Sequence, residues 1–495
     1  MTNSPSKKLT SFRIASICIS LFTVTFLMFS ANKPLFRDEA FSYFSSSQTL
    51  QHLISEVKVT NIYYFSYYFV LHSWLLFAHN VVWARLFSIL AFGISIYEIA
   101  KTARLLGLKS SRYLPSLFLA TSPLAIQESL YLRPYSLSIL IAIIFINQAI
   151  IFDKNTHQTL TKTSVASFFL MSIDLHAACF AFPIILGALV RKHKCAKQNI
   201  LIAAFQTIFL IISFYIFSHS VLTQSAGASW YSSYFHSIPF VVNLEGPASS
   251  STGLFPIAGS GLYPLVVLAL LSLGTISYLA TRKNQSLRLV DRWDLGVIAT
   301  WALLPTVAMV GISLVHPIYI TRYITYSVPG LAILMAIACE SVYTNFTLIK
   351  SRILKPILFS SILGAALVWT FITCDIPVAK TYAYNLWAAE KYLASSGGPN
   401  AEIVLPTISL KTAITYYANI DDNSFTYWPQ GKNIWSATSL NLDQATFAAA
   451  SSNVWLVYEN SYDDAPIVAS LREHGYAQSG TTLIEGVALI HFEKH

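Results

Sequence analysis

The chain has 495 residues, of which 54% are hydrophobic and 11% charged, and its formal net charge at pH 7 is +9. Soluble globular proteins carry roughly 25% charged residues, so this composition excludes a water-soluble core as the main body of the chain. The positive charge does not imply nucleic acid either, because Lys and Arg fall in short clusters beside apolar runs, where membrane topology and anionic headgroups account for them.

Apolar runs near the spanning length of about 20 residues recur along most of the sequence. Spans are predicted near 12–31, 83–103, 113–130, 134–152, 163–174, 176–190, 199–218, 261–281, 293–314, 325–346 and 356–374. The first run follows Lys7 and Lys8 but is longer than the apolar part of a secretion signal, and no small-residue cleavage site precedes Pro34. A first membrane span is therefore expected there rather than a removed leader.

The basic clusters orient these spans, because Lys and Arg in short loops stay on the cytosolic side. With the amino terminus in the cytosol, twenty of the 32 Lys and Arg residues fall on cytosolic segments. They include Lys7, Lys8 and Arg13, then Lys101 to Arg112, Lys154, Lys162, Arg191 to Lys197, Arg282 to Arg292, and Lys350 to Lys355. The same rule requires an even number of crossings between Lys162 and Arg191, so a tight hairpin of two short helices is expected, with Asp174 and His176 at its outer tip.

The first outer loop, residues 32–82, is too long for a simple turn. Its aromatic half, Asn61 to Trp74, is expected to lie in the headgroup region as an interfacial helix, since Tyr63, Tyr64, Tyr67, Tyr68, His72 and Trp74 are amphipathic. A second outer region, 219–260, carries Trp230 to Tyr234 and the small polar run Ser249 to Gly253, a composition suited to a flap over a site. The five cysteines show neither metal nor redox spacing.

Composition changes after Cys374. Residues 375–495 are polar, with strand candidates Glu402 to Leu405, Val454 to Tyr458 and Ala488 to Phe492, and helical stretches near 383–395, 409–418 and 464–474. That alternation predicts a small α/β domain, here an extracytoplasmic one. The fold class expected is thus an all-α polytopic membrane protein of about eleven transmembrane helices, residues 1–374, with a small soluble α/β domain over 375–495.

Three segments place ionisable residues at the outer membrane boundary. Phe36-Arg-Asp-Glu-Ala-Phe-Ser42 follows the first span, and its adjacent carboxylates are expected in a loop, one free to act as a general base. Glu128-Ser-Leu-Tyr-Leu-Arg-Pro-Tyr135 joins spans three and four, where Arg133 either binds a phosphate or pairs with Glu128 to pin a turn. His316-Pro-Ile-Tyr-Ile-Thr-Arg-Tyr323 enters span ten and adds Arg322 beside phenols. Two arginines expected from separate helices at one depth suggest a phosphate clamp, with Arg85 a candidate third member. His176 caps the hairpin, contacts a ligand, or joins Asp174 in a weak metal site; a structural hydrogen bonder is the commoner outcome, so metal stays unassigned.

The order Asp38-Glu39, Tyr67 to Trp74, Arg85-Leu-Phe-Ser88, Leu132-Arg133-Pro-Tyr135, then Arg322-Tyr323 with Pro329, resembles the family of protein O-mannosyltransferases and aminoarabinose transferases, nearest to its actinobacterial mannosyltransferases. The resemblance covers roughly residues 10–375. It implies a C-type glycosyltransferase architecture and a polyprenyl-phosphate sugar as donor, with a protein, lipid or cell-wall glycan as acceptor. It also implies a bacterial inner-membrane location and no nucleotide site. Asp38 matches the family's catalytic aspartate. Glu39, Arg85, Tyr131, Arg133, His176, Arg322 and Tyr323 are the implied substrate contacts. No cofactor is required by it, and a divalent metal is left open. The chain departs from the pattern at Tyr63-Tyr64-Phe65, where many relatives have His-Pro-Pro, and at Leu132, where a small residue is common. A transporter or flippase of a lipid-linked glycan, and a non-catalytic assembly protein, are the alternatives from other classes; a transporter would more often show repeats or midplane charges.

Overall fold

The computed structural model describes, with short gaps, residues 5–54, 64–191, 290–313, 321–345 and parts of 361–376, and in the tail 386–396, 402–405, 426–427, 453–459, 465–484 and 487–494. Expected spans at 199–218 and 261–281, most of that at 356–374, the flap at 219–260 and the helical stretch at 409–418 lie outside the described residues. The chain forms two compact units, one of Met1–Ala31, Ile54–Phe214 and Phe235–Thr381, the other of Asn32–Leu53, Tyr215–Tyr234 and Tyr382–His495.

In the first unit the helices are α1 (Pro5–Phe29), with α2 (Arg37–Ser47) following in the second unit, then α3 (Phe65–Leu75), α4 (Val81–Leu105), α5 (Leu114–Ala120), α6 (Pro123–Leu130), α7 (Tyr135–Lys154), α8 (Thr161–Ile173), α9 (Ala178–Arg191), α10 (Arg292–Ser313) and α11 (Val328–Asn345). Among the described residues four stretches are long and apolar enough to cross a bilayer: Val81–Leu105, Tyr135–Lys154, Arg292–Ile312 and Arg322–Thr344. Ser16–Phe29 and Leu175–Arg191 are shorter apolar helices. The Arg322–Thr344 stretch is the innermost, with 94% of its apolar window buried, against 39% for Arg292–Ile312.

Small side chains and polar links hold these helices close. Ser20 Oγ donates to the Gly93 carbonyl at 2.6 Å, joining α1 to α4, and Thr102 meets Asn147 at 2.8 Å between α4 and α7. Hydrogen bonds of this kind are well suited to apolar surroundings, where no water competes. At the opposite end of α7 from Tyr135, Lys154 pairs with Asp294 at 3.0 Å and Arg191 with Asp153 at 2.7 Å, tying α7, α9 and α10 together. These contacts involve residues that the charge pattern assigns to cytosolic segments, or their near neighbours.

The hairpin demanded by the charge pattern is present: α8 and α9 are joined through Asp174 and one 3-10 turn, Leu175–Ala177. Two expectations need correction. The run 113–130 is not one span but two short helices, α5 and α6, which break at Thr121-Ser122 because Pro123 starts a new helix and lacks the N–H that would continue the old one. Asp38 and Glu39 are not in a loop; they occupy the first turn of α2, where carboxylates complement the unsatisfied N–H groups of a helix start.

In the second unit, α12 (Leu386–Ser396) precedes a sheet of β1 (Glu402–Leu405), β2 (Thr426–Tyr427) and β3 (Asn453–Glu459), then α13 (Ala465–Glu473), β4 (Tyr476–Ile484) and β5 (Val487–Lys494). The strand order is β2-β1-β3-β5-β4, with β1 parallel to β2 and β3, and β5 antiparallel to β3 and β4. Alternate residues Val454, Leu456, Ile490 and Phe492 bury one face with Leu471 and Tyr476. Three strands coincide with those expected. The two missed are β2, two residues long, and β4, whose sequence Tyr-Ala-Gln-Ser-Gly-Thr-Thr-Leu-Ile offers few apolar residues because it is an edge strand carrying a bulge between Gln478 and Gly480.

Candidate functional site

Five segments of the first unit bring phenols, arginines and a carboxylate together, and each lies where a helix starts or ends. Tyr64 immediately precedes α3, Arg133 sits between α6 and α7, and Tyr135 opens α7. Asp174 and His176 form the hairpin turn, and Arg322 with Tyr323 lies in a 3-10 segment, Thr321–Ser327, leading into α11. Pro134 enforces this locally: the residue before proline is driven from helical geometry, so α6 cannot run on and Arg133 is left in a link.

The rings interlock. His176 stacks on Tyr323 with centroids 5.0 Å apart and lies 6.3 Å from Tyr64. The Arg133 guanidinium lies 5.7 Å from the Tyr64 ring centre, and that of Arg322 lies 5.7 Å from the ring of Tyr323. Such contacts stabilise a cation without neutralising it. Asp174 Oδ1 accepts from the His176 backbone N–H at 3.1 Å and lies 2.9 Å from the ring Nδ1, so one oxygen both caps the turn and fixes the imidazole. Its other oxygen, Oδ2, is buried with no hydrogen-bond partner among the described residues. The Tyr135 hydroxyl is likewise buried and unpartnered, and Tyr135 feels the charges of both Arg322 and Arg133.

Burial, and after it the neighbouring Tyr135 and Asp174, pushes the Tyr64 phenol well above the usual tyrosine range, with Arg133 opposing the rise. Tyr64 is therefore a protonated hydrogen-bond donor at neutral pH.

Of the site residues expected from sequence, Arg133, His176, Arg322 and Tyr323 join this cluster. Tyr131 stands beside it as the cap of α6, its carbonyl accepting from the Arg133 N–H at 2.9 Å. Glu128 is buried in α6, and its charge is felt at Tyr135. Arg85 is buried near the start of α4 and donates from Nη1 at 2.8 Å to the carbonyl of Ala31, two residues beyond the end of α1. Asp38, half-buried, and Glu39, fully buried, belong to α2 in the second unit. Among the described residues, no group of three His, Cys, Asp or Glu side chains stands close enough to hold a metal. Sequence reasoning passed over Tyr64 and Tyr135; both stood in segments that had been singled out, and the Arg-Pro-Tyr run was the signal for Tyr135.

No family model matches the sequence, and no curated protein matches it. Solved structures do. ArnT from Cupriavidus metallidurans bound to undecaprenyl phosphate aligns with a TM-score of 0.51 at 10% identity, over 99% of this chain and 98% of that one. The Archaeoglobus fulgidus oligosaccharyltransferase in its apo form aligns with a TM-score of 0.53 at 11% identity, over 91% of this chain and 69% of that one. The archaeal oligosaccharyltransferase AglB from Archaeoglobus fulgidus, in complex with an inhibitory peptide and a dolichol-phosphate, gives a TM-score of 0.51 at 10% identity, over 96% of this chain and 74% of that one. The chain shares the overall fold of these solved structures. Its long apolar helices support a multi-pass membrane protein, and a small sheet domain lies toward the carboxy terminus.

Proposed function

We propose that this protein is a membrane glycosyltransferase that moves a sugar, mannose as the first candidate, from a polyprenyl-phosphate donor to an acceptor hydroxyl at the outer face of a bacterial cell membrane. The observation that carries the reading is the convergence of Arg133 and Arg322, from separate helix ends, on a buried phenol-rich site. Two guanidiniums in a low-dielectric site match a phosphate that gains charge as it leaves, and preorganised cations of this kind are the largest single source of transition-state stabilisation. Arg85, Glu39, Tyr131, His176 and Tyr323 complete the proposed substrate contacts. The fold supports the reading, since one structure that shares it holds undecaprenyl phosphate and another a dolichol-phosphate.

The reaction proposed is a single inverting displacement. Asp38 takes the proton of the acceptor hydroxyl while that oxygen bonds to the anomeric carbon, and the bond from that carbon to the phosphate oxygen breaks. The acceptor is a protein, lipid or cell-wall glycan. About eleven crossings, a cytosolic amino terminus and an extracytoplasmic domain over 375–495 belong to this proposal, supported by the distribution of Lys and Arg.

The test is transfer of radiolabelled mannose from polyprenyl-phosphate mannose to endogenous acceptors in membranes, comparing wild type with Asp38→Asn at matched expression. A labelled product that vanishes in the variant supports the mechanism. Undiminished labelling removes Asp38 as the base. A protein that moves the lipid-linked sugar across vesicles with no transfer would instead be a flippase, the alternative that uses the same cations without needing Asp38.

A further inference from the structure

The mechanism above leaves Tyr135 without a task. Its side chain is fully buried, its hydroxyl has no hydrogen-bond partner among the described residues, and the charges of Arg322 and Arg133, as well as that of Glu128, act on it. A buried hydroxyl left unsatisfied costs free energy, and such a group in a native structure calls for a partner. Position adds a second reason. Tyr135 is the first residue of α7, a 20-residue helix, so it stands where unsatisfied backbone N–H groups and the helix dipole favour an anion. Ser136, the next residue, also has a buried hydroxyl with no partner. Even with the Glu128 carboxylate nearby, a helix start that holds two unpartnered hydroxyls within the influence of two guanidiniums is satisfied by an anion that brings several acceptor oxygens.

Resting on the transferase reading, we propose that the Tyr135 phenol at the start of α7 donates a hydrogen bond to the phosphate of the lipid donor and keeps it through the reaction. The bond from the anomeric carbon to the phosphate oxygen breaks with its electron pair going to that oxygen, and the acceptor's proton goes to Asp38. Tyr135 keeps its own proton and stabilises the departing charge by hydrogen bonding alone. Tyr135 is thus a catalytic residue of the site, distinct in chemistry from the two arginines: it gives direction where they give charge.

The test measures binding of undecaprenyl phosphate and of the uncharged undecaprenol to the full chain in nanodiscs, for wild type, Tyr135→Phe, Arg133→Gln and Arg322→Gln. Hydrogen bonds to charged groups are worth enough for Tyr135→Phe to weaken undecaprenyl phosphate roughly tenfold or more. Undecaprenol binding and thermal stability stay unchanged, because the ring is kept. If Tyr135→Phe binds the phosphate as wild type while the arginine variants lose it, the Tyr135 proposal is overturned and the clamp stands. If the arginine variants also bind as wild type, the phosphate seat itself is elsewhere and both fall. If Tyr135→Phe weakens both lipids equally, its role is packing and the proposal fails.

Discussion

His176 lies flat on Tyr323, ring centroids 5.0 Å apart and planes within 5° of parallel, so the tip of the α8–α9 hairpin is joined to the segment that delivers Arg322. The join places two helix ends that are about 150 residues apart in sequence, and Asp174 holds the imidazole in the orientation the stack needs. Aromatic pairs of this kind contribute about 0.5–1.5 kcal/mol beyond their buried area. Thermal unfolding in detergent of His176→Ala, Tyr323→Ala and the double variant should therefore give a coupling of about 1 kcal/mol. Strictly additive losses would show that the rings merely adjoin.

Arg133→Lys and Arg322→Lys keep the charge but lose the planar fork that, in the proposed transferase, reads two phosphate oxygens at once. Each should lower kcat/KM for the polyprenyl-phosphate sugar by about 10- to 100-fold, at roughly 1.4 kcal/mol per tenfold. Steady-state transfer assays at matched expression decide this. Lysine variants with wild-type rates would mean that the site uses these residues as point charges only.

The main lines of the first unit were legible because membrane chemistry writes them plainly. Lys162 and Arg191 on one side demanded a hairpin, and the turn at Asp174 supplies it. Pro123 shows the limit of the same method. Hydropathy over 113–130 is continuous, and only the missing N–H of one proline divides it into α5 and α6. The helix that carries Asp38-Glu39 in its first turn is not legible in the sequence, since Arg-Asp-Glu-Ala-Phe-Ser lacks a strong apolar period. Tyr135 escaped for a different reason: a tyrosine opening an apolar helix has the sequence look of core or interface, and what sets it apart is a hydroxyl left without a partner after folding.

Trp74 and Trp83 stack with centroids 4.5 Å apart, and each indole N–H donates to the other's backbone carbonyl, at 2.9 and 3.1 Å. This double latch closes the turn from α3 to α4 and so fixes the helix that Tyr64 precedes. Trp74→Phe keeps a ring but removes one donor; the Trp83 carbonyl lies inside α4 and retains its place in the helix ladder, so the cost is that of one hydrogen bond, about 0.5–1.5 kcal/mol. The expected result is lower thermal stability together with faster proteolysis of the α3–α4 turn. Unaltered cleavage there would show that stacking alone holds the turn.

Gly330 and Gly311 should respond to alanine with different signs, which makes them a test of the helix packing itself. A Cβ at Gly330 would meet the Ala302 backbone N and Cα at 3.0 Å, so α10 and α11 approach closely only because that side chain is absent. At Gly311, in α10, nothing stands within 4 Å of a Cβ. Replacing glycine inside a helix by alanine gains about 0.5–1 kcal/mol in backbone terms. Gly311→Ala should keep that gain and raise the unfolding temperature. At Gly330 the gain is set against overpacking of about 1–3 kcal/mol, because the atoms in the way are backbone and cannot swing aside. Gly330→Ala should thus be neutral to destabilising and Gly330→Leu strongly destabilising, with donor binding lost as α11 moves away and takes Arg322 with it. A Gly330→Leu protein that unfolds at the wild-type temperature would mean that α10 and α11 do not touch at Ala302.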